Sequence, residues 1–402
     1  MMKHHISRRN WLRNGAMLSA GLGLLPSQWE ALLAKTPQGS KSRLQLSQLA
    51  EEAKIINDFP KLKARLLANE NPFGPSQKAK DEMVKAMDIG YQYSFFGAGE
   101  LSDLIAGSFG LTKDNILLGA GSTELLTSVA YYLAIAGKNK GKIICADPPY
   151  DWLMISAAEH GMDWEGVPVT KENKHNLDAM AAKVTEDTPL VYICNPANPN
   201  GTVVDTDQLT SFCKEVSKKT TVLVDEAYID YVDDPGKQSM ASLIKEGYNI
   251  LVARTFSKVH GFAGIRMGYI LGQQELLDKI MKYSSTISKQ FSTSSLSGLA
   301  IAGAMSSYQD KAFIQSCVDK TNEGKAFVYK VLEEMDYEYV PSSTNFILFP
   351  LRMHGDQFQK AMFEKGIGVR KWKFAKQHWC RVSIGKMEEL ELFAEAFKEV
   401  VG

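Results

Sequence analysis

Six short apolar runs, each closing on polar residues, constrain the fold of this 402-residue chain more than any other feature. They are NILLGAG (Asn115–Gly121), KIICAD (Lys142–Asp147), LVYICN (Leu190–Asn195), TVLVDEAY (Thr221–Tyr228), NILVARTFSK (Asn249–Lys258) and GYILG (Gly268–Gly272). Continuous aliphatic and β-branched runs suit strands covered on both faces, whereas a half-exposed strand would alternate. Helical candidates such as Thr123–Ala136 and Asp205–Lys218 stand between several of them, the rhythm of crossover units. The expected core is an α/β fold, a mostly parallel sheet flanked by helices. After Gly272 the rhythm changes. Helical stretches at Gln273–Ser284 and Lys311–Met335 lead to NFILF (Asn345–Phe349), RVSIG (Arg381–Gly385) and a closing amphipathic helix over Met387–Val401, expected to form a smaller α+β domain.

Lysine plus arginine number 46, as do aspartate plus glutamate, so no net field recruits nucleic acid or an anionic membrane. The expected partners are small molecules or a second copy of the chain. The five cysteines (Cys145, Cys194, Cys213, Cys317, Cys380) are scattered, odd in number and free of CxxC spacing, which argues against a disulfide framework and against a metal site. The N-terminus is less plain. SRRNWLR (Ser7–Arg13) precedes an apolar, glycine-containing run over Gly15–Leu25 and small residues near Ala34, the three-part layout of an export signal. Arg8 and Arg9, followed by Trp11 and Leu12, resemble the twin-arginine signal, which implies a periplasmic or exported protein; a basic leader on a cytoplasmic enzyme is the alternative. The run is shorter than the roughly 20 apolar residues of a stable membrane span.

In open parallel sheets ligands sit at the carboxyl ends of the strands, so the polar residues closing each run are the ones to weigh. After the first run, Gly121, Ser122 and Thr123 open a helix whose free N–H groups and hydroxyls suit a phosphate, or simply cap that helix. After the second, Tyr150 suits stacking on a planar ligand, or packing. After the third, Asn198 in NPANPNGT offers an amide to a ring oxygen, or belongs to a plain turn. The fourth ends in Asp225, a carboxylate that is costly at a buried strand end without a cation such as a protonated pyridine nitrogen, or that caps the next segment; Tyr228 follows three residues later. The fifth ends in Lys258, with Arg266 eight residues on. A lysine in apolar surroundings near another cation becomes nucleophilic, and Thr255, Ser257 and Arg266 suit a phosphate dianion.

Taken in order and spacing, LLANENPFGPS (Leu67–Ser76), GAGSTELL, NPANPNG, VDEAY, RTFSKVHGFAGIRMGY and RVSIG resemble the class I/II aminotransferases of fold type I, and within them the histidinol-phosphate aminotransferase group. The resemblance covers Leu67 to the C-terminus and implies pyridoxal 5′-phosphate as cofactor. It implies Lys258 as the lysine that holds the cofactor and shuttles the proton, Asp225 as partner of the pyridine nitrogen, Asn198 and Tyr228 at the phenolic oxygen, and Tyr150 against the ring. Gly121, Ser122, Thr123, Thr255, Ser257 and Arg266 would hold the phosphate. Tyr93 would reach the phosphate in a neighbouring subunit of a homodimer, although Ser94 and Phe95 replace the usual Pro-Asp after it. Arg381 would clamp the substrate α-carboxylate, with Arg370 and Asn71 beside the substrate.

The implied organisation is an export signal and linker over residues 1–40, an arm and part of the small domain over 41–90 with a polar helix near Lys41–Asp58, a large cofactor domain over 91–285 and a small domain over 286–402. The expected reaction moves an amino group from an amino acid or a histidinol-phosphate-like amino-alcohol phosphate to a 2-oxo acid such as 2-oxoglutarate. A decarboxylase or lyase on the same scaffold is the alternative, because the cofactor breaks the bond and the pocket chooses it. A non-catalytic exported binding protein is the other, against which the joint presence of Lys258 and Asp225 counts. Lys371–Trp379 is more basic and aromatic than the group leads one to expect, and a biosynthetic enzyme has little reason for export.

Overall fold

The computed structural model describes residues 62–93, 97–137, 140–284 and 296–402; the export signal and the Lys41–Asp58 helix expected from the sequence lie outside them. Twelve strands are present among the described residues: β1 (Ala64–Arg65), β2 (Ile116–Gly119), β3 (Lys142–Asp147), β4 (Asp163–Pro168), β5 (Leu190–Cys194), β6 (Thr221–Asp225), β7 (Ile250–Thr255), β8 (Gly268–Leu271), β9 (Phe346–Pro350), β10 (Ile367–Gly368), β11 (Arg370–Phe374) and β12 (Gln377–Ser383). Seven form one sheet in the order β2-β8-β7-β6-β5-β3-β4. It is parallel from β7 through β4, while β8 runs antiparallel to both β2 and β7.

The continuous apolar character of β5 to β7 follows from this placement. Ile144, Val191, Ile193, Val222, Val224, Ile250 and Val252 feed one apolar layer, and their alternates Ile143, Cys145, Leu190, Tyr192, Leu223 and Leu251 feed the other. With successive side chains on opposite faces, a sheet covered twice leaves no polar position until its end. The helix Thr206–Val216 shows the matching logic: the Asp205 carboxylate accepts from the N–H groups of Asp207 and Gln208, and Leu209, Phe212, Cys213 and Val216 form its buried stripe.

The third apolar cluster joins the two ends of the described chain. Ala64 and Leu66 pack with Val328, Ile347, Phe349, Phe358, Cys380, Val382, Phe393 and Phe397, and β1 pairs in parallel with β10. The antiparallel sheet β11-β12-β9 covers this core. Several boundaries differ from the sequence reading. The expected Thr123–Ala136 helix is α-helical over Ser122–Tyr131 and widens into a π-helix over Tyr132–Ala136. The strand expected to run to Lys258 stops at Thr255, because the Ser257 N–H turns back to Thr255 Oγ1 and the Phe262 N–H closes on the Phe256 carbonyl. The five cysteines are all buried and none is in a disulfide. Among the described residues no helix is long and apolar enough to cross a membrane.

Candidate active site

The carboxyl ends of β5, β6 and β7 bring Asn198, Asp225 with Tyr228, and Lys258 to one place. Asp225, 1% exposed, is the last residue of β6. The Tyr192 hydroxyl donates to its Oδ2 at 2.9 Å, and the Ala227 N–H donates to its Oδ1 at 3.1 Å. Burial pushes its pKa up to about 6, against the pull of those two donors and of the Lys258 charge. The sequence reading missed Tyr192. Its hydroxyl in the middle of the buried run LVYICN is the signal that could have found it: Tyr192 pairs with Leu223, two residues before Asp225 and on the same face.

Lys258 lies three residues beyond β7 in the turn closed by the Gly261 N–H on the Lys258 carbonyl. Burial, then the neighbouring Arg381 guanidinium, bring its pKa down to about 8, with Arg266 acting the same way and Glu70 and Asp225 opposing. Its Nζ donates to the Asn69 carbonyl at 3.2 Å and stands 5.3 Å from the centre of the Tyr228 ring. Asn69 is a second residue the reading passed over, having singled out Asn71 from the same motif. Its φ of 54° is in the left-handed region, which asparagine tolerates. There its Nδ2 donates to the Tyr228 hydroxyl at 2.9 Å and its Oδ1 accepts from Ser383 Oγ at 2.9 Å. Asn71 is used differently: its Nδ2 donates to the Val259 carbonyl at 2.7 Å and to Cys317 Sγ at 3.4 Å, and its Oδ1 accepts from the Phe73 N–H at 3.0 Å. It buttresses the wall behind the lysine instead of presenting its donors to a substrate.

Arg381, 3% exposed, comes from β12 of the small sheet. Its Nη1 donates to Asn198 Oδ1 at 2.7 Å and its Nη2 to the Leu67 carbonyl at 3.0 Å, while Asn198 Nδ2 donates to the Tyr228 hydroxyl at 3.3 Å. One chain of hydrogen bonds therefore runs from the small sheet to the strand ends of the large one. Arg370 is paired directly across β11-β12 from Arg381.

On the other side, Arg266 (φ 69°) donates to the Ala263 carbonyl at 2.9 Å and to Ser257 Oγ at 3.3 Å. A Cβ on Gly121 would stand 2.3 Å from its Nη2, and one on Gly268 only 2.6 Å from the Ser122 nitrogen, so both glycines are needed for the guanidinium to lie against the helix start. Burial lowers the pKa of Arg266, with only the Tyr150 phenol acting in its favour. A half-buried guanidinium set against free N–H groups of a helix N-terminus, and hydrogen-bonded among the described residues to a carbonyl and a hydroxyl, suits a phosphate. Thr255 Oγ1 holds the Ser257 N–H at 3.1 Å, and Thr123 hydrogen-bonds Tyr150, whose hydroxyl burial pushes up to about 12. Tyr93 lies 76% exposed on the surface of its own chain.

A lysine whose pKa is brought down to about 8, a buried carboxylate at a parallel strand end and a separate phosphate cradle define a pyridoxal-phosphate enzyme of fold type I. The chain belongs to the aminotransferase class I and II family, whose sequence model matches residues 63–397, and it is a pyridoxal-phosphate-dependent aminotransferase. It is 32% identical over 338 residues to a histidinol-phosphate aminotransferase of Brevibacillus brevis, covering 84% of this chain and 90% of that one. A Bacillus cereus protein of the same name is 33% identical over 87% of this chain and 92% of its own length. Among solved structures, histidinol-phosphate aminotransferase from Sinorhizobium meliloti in complex with pyridoxal-5′-phosphate superposes with a TM-score of 0.76 at 25% identity, covering 88% of this chain and 94% of the other.

Proposed function

We propose that the amino donor docks an anionic group, an α-carboxylate or a phosphate monoester, on Arg381, and that its amino group passes to a 2-oxo acid such as 2-oxoglutarate. The observation that carries this is the Arg381–Asn198–Tyr228 chain, which aims a buried guanidinium at the same place as the Lys258 amine. The names of the curated relatives support histidinol phosphate as one donor, with Arg370 adding a second positive charge beside Arg381.

In this reading Gly121, Ser122, Thr123, Thr255, Ser257 and Arg266 would hold the cofactor phosphate, Tyr150 would pack against its ring, and Asn198 and Tyr228 would bind its ring oxygen. Asp225, fixed by Tyr192 and the Ala227 N–H, would keep a proton on the pyridine nitrogen. The bound cofactor supplies an aldehyde carbon for the amine and a ring that accepts the electrons released with the α-proton. Lys258 Nζ would be the group that accepts and carries that proton. Its depressed pKa leaves an appreciable neutral fraction near neutral pH, and the Asn69 carbonyl orients its lone pair. Arg381 holds the donor so that its α-hydrogen faces Lys258.

We further propose a homodimer and export by the twin-arginine route to the periplasm. Exposed Val84, Met87, Ile89, Tyr91 and Tyr93 support the first, and Arg8, Arg9 and the apolar run after them support the second. The functional test is direct. Leader-free holoenzyme is offered histidinol phosphate and a panel of amino acids with 2-oxoglutarate, and glutamate formation is followed. Carbon dioxide released without glutamate would replace exchange by decarboxylation. Sedimentation tests the dimer, and cell fractionation of an Arg8→Lys, Arg9→Lys variant tests the route, with unchanged periplasmic recovery counting against it.

A further inference from the structure

The face of the small sheet that carries Arg381 holds more than arginines. In the β11-β12 pairing Arg370 is opposite Arg381 and Trp372 is opposite Trp379, so these four side chains, with Phe374, share one face. The alternate residue Cys380 points the other way, into the small apolar core. The Arg370 and Arg381 guanidiniums stand 5.7 and 5.9 Å from the centre of the Trp372 ring, and Phe374 stacks on Trp379 at 4.8 Å with the rings 1° from parallel. Both indole nitrogens, Trp372 Nε1 and Trp379 Nε1, are shut off from solvent and have no hydrogen-bond acceptor among the described residues. Both residues are half-buried, but an indole N–H closed off from water normally finds an acceptor, and leaving one without costs roughly 1–3 kcal/mol. The two orphaned donors sit one same-face residue pair beyond the arginines.

We propose that Trp372 and Trp379 are specificity-determining residues that read the donor side chain through their indole N–H groups. They select side chains ending in a hydrogen-bond acceptor, a carboxylate or carboxamide, over hydrocarbons of similar length. Arg370 adds a preference for negative charge at the same end. A hydrocarbon side chain would leave both N–H groups without partners, whereas an acceptor satisfies them, and the asymmetry between those outcomes is larger than the net worth of one ordinary hydrogen bond. The inference rests on the reading of Arg381 as the carboxylate clamp.

The test uses holoenzyme with glutamate, glutamine and norleucine as donors, in the wild type and in Trp372→Phe, Trp379→Phe and Arg370→Gln. Phenylalanine keeps a ring for packing and for the neighbouring cations and deletes only the N–H. The wild type is expected to prefer glutamine to norleucine by about tenfold in kcat/KM, and glutamate to glutamine. Either tryptophan variant shrinks the glutamine–norleucine gap, mainly through KM, and leaves the glutamate–glutamine gap; Arg370→Gln does the opposite. Quenching of intrinsic fluorescence by glutaramate and hexanoate, which lack the amine, should show the same loss of discrimination in binding alone. Tryptophan variants that slow all three donors alike, or that change only stability or assembly, would overturn the inference and leave the Arg381 reading intact. A wild type that exchanges no α-carboxylate donor would overturn both.

Discussion

Replacing Asp225 with asparagine should make the cofactor-free protein more stable at neutral pH while weakening its hold on the cofactor. The carboxyl is buried and its pKa is displaced from 3.8 to about 6, which corresponds to roughly 3 kcal/mol of disfavoured ionisation. Because the folded-state value lies above the unfolded one, folded apoprotein binds this proton more tightly than the unfolded chain does. Its contribution to stability is full below 3.8 and is lost as pH climbs through about 6. Asparagine does not titrate. It also loses one of the two hydrogen bonds from the Tyr192 hydroxyl and the Ala227 N–H, at a cost of about 1 kcal/mol that does not depend on pH. Urea unfolding of both apoproteins from about pH 4 to 7.5 should therefore show the variant gaining about 2–3 kcal/mol relative to wild type across that range, whatever the offset at the acidic end. With the cofactor bound the order reverses at neutral pH, since the carboxylate then faces a cation. A stability difference that stays flat with pH in the apoproteins would refute the claim that Asp225 is held ionised at a cost.

Other consequences follow from the same geometry. Capture of the cofactor by apoprotein should accelerate as pH rises toward about 8, where Lys258 loses its proton, and level off above it; stopped-flow absorbance would detect a pH-independent rate that contradicts this. Gly268→Ala should cost about 1–3 kcal/mol in the thermal unfolding of the apoprotein and weaken cofactor binding further, because its methyl would meet the Ser122 nitrogen at 2.6 Å. Arg381→Lys should raise KM for α-carboxylate donors by about tenfold or more with a smaller change in kcat, since an ammonium cannot reproduce the planar fork that spans Asn198, Leu67 and a carboxylate; steady-state kinetics with equal losses on KM and kcat would point to a misfolded site.

The residues at the strand ends were legible because a doubly covered parallel sheet forces its sequence to be apolar until the chain leaves it. Asp225 and Asn198 announced themselves as polar interruptions of that pattern. Residues whose roles depend on tertiary register were not legible. Tyr192 looks like any aromatic in a buried strand until β5 is laid against β6, and only then does its hydroxyl meet the carboxylate. Asn69 and Asn71 flank the same glutamate and are chemically identical; a left-handed backbone at one and a carbonyl within reach of the other divide their work. The edge strand β4 was missed because DWEGVP is half exposed and interrupted by glycine, and the β11-β12 hairpin because its charges hid its pairing. In that hairpin Lys371 pairs with Asp356 on one face while the tryptophans and arginines occupy the other.

The site's electrostatics make sense only as half of a complex. Lys258 and Asp225 carry opposite formal charges and feel each other, yet the amine donates to the Asn69 carbonyl and the carboxylate accepts from Tyr192 and Ala227. Had folding stability alone shaped this pocket, a direct ion pair would have relieved both burial penalties, and it would also have raised the lysine pKa and destroyed its nucleophilicity. The protein instead keeps each group in its less comfortable state and surrounds the amine with Arg381 and Arg266, both of which push it toward neutrality. In the proposed reading Arg266 meets the cofactor phosphate at one end and Arg381 the donor's acidic group at the other. Binding therefore satisfies four groups at once, and the order of events follows from their positions. The cofactor must settle first between Arg266 and Asp225, because only then does a donor held on Arg381 have anything to react with beside Lys258.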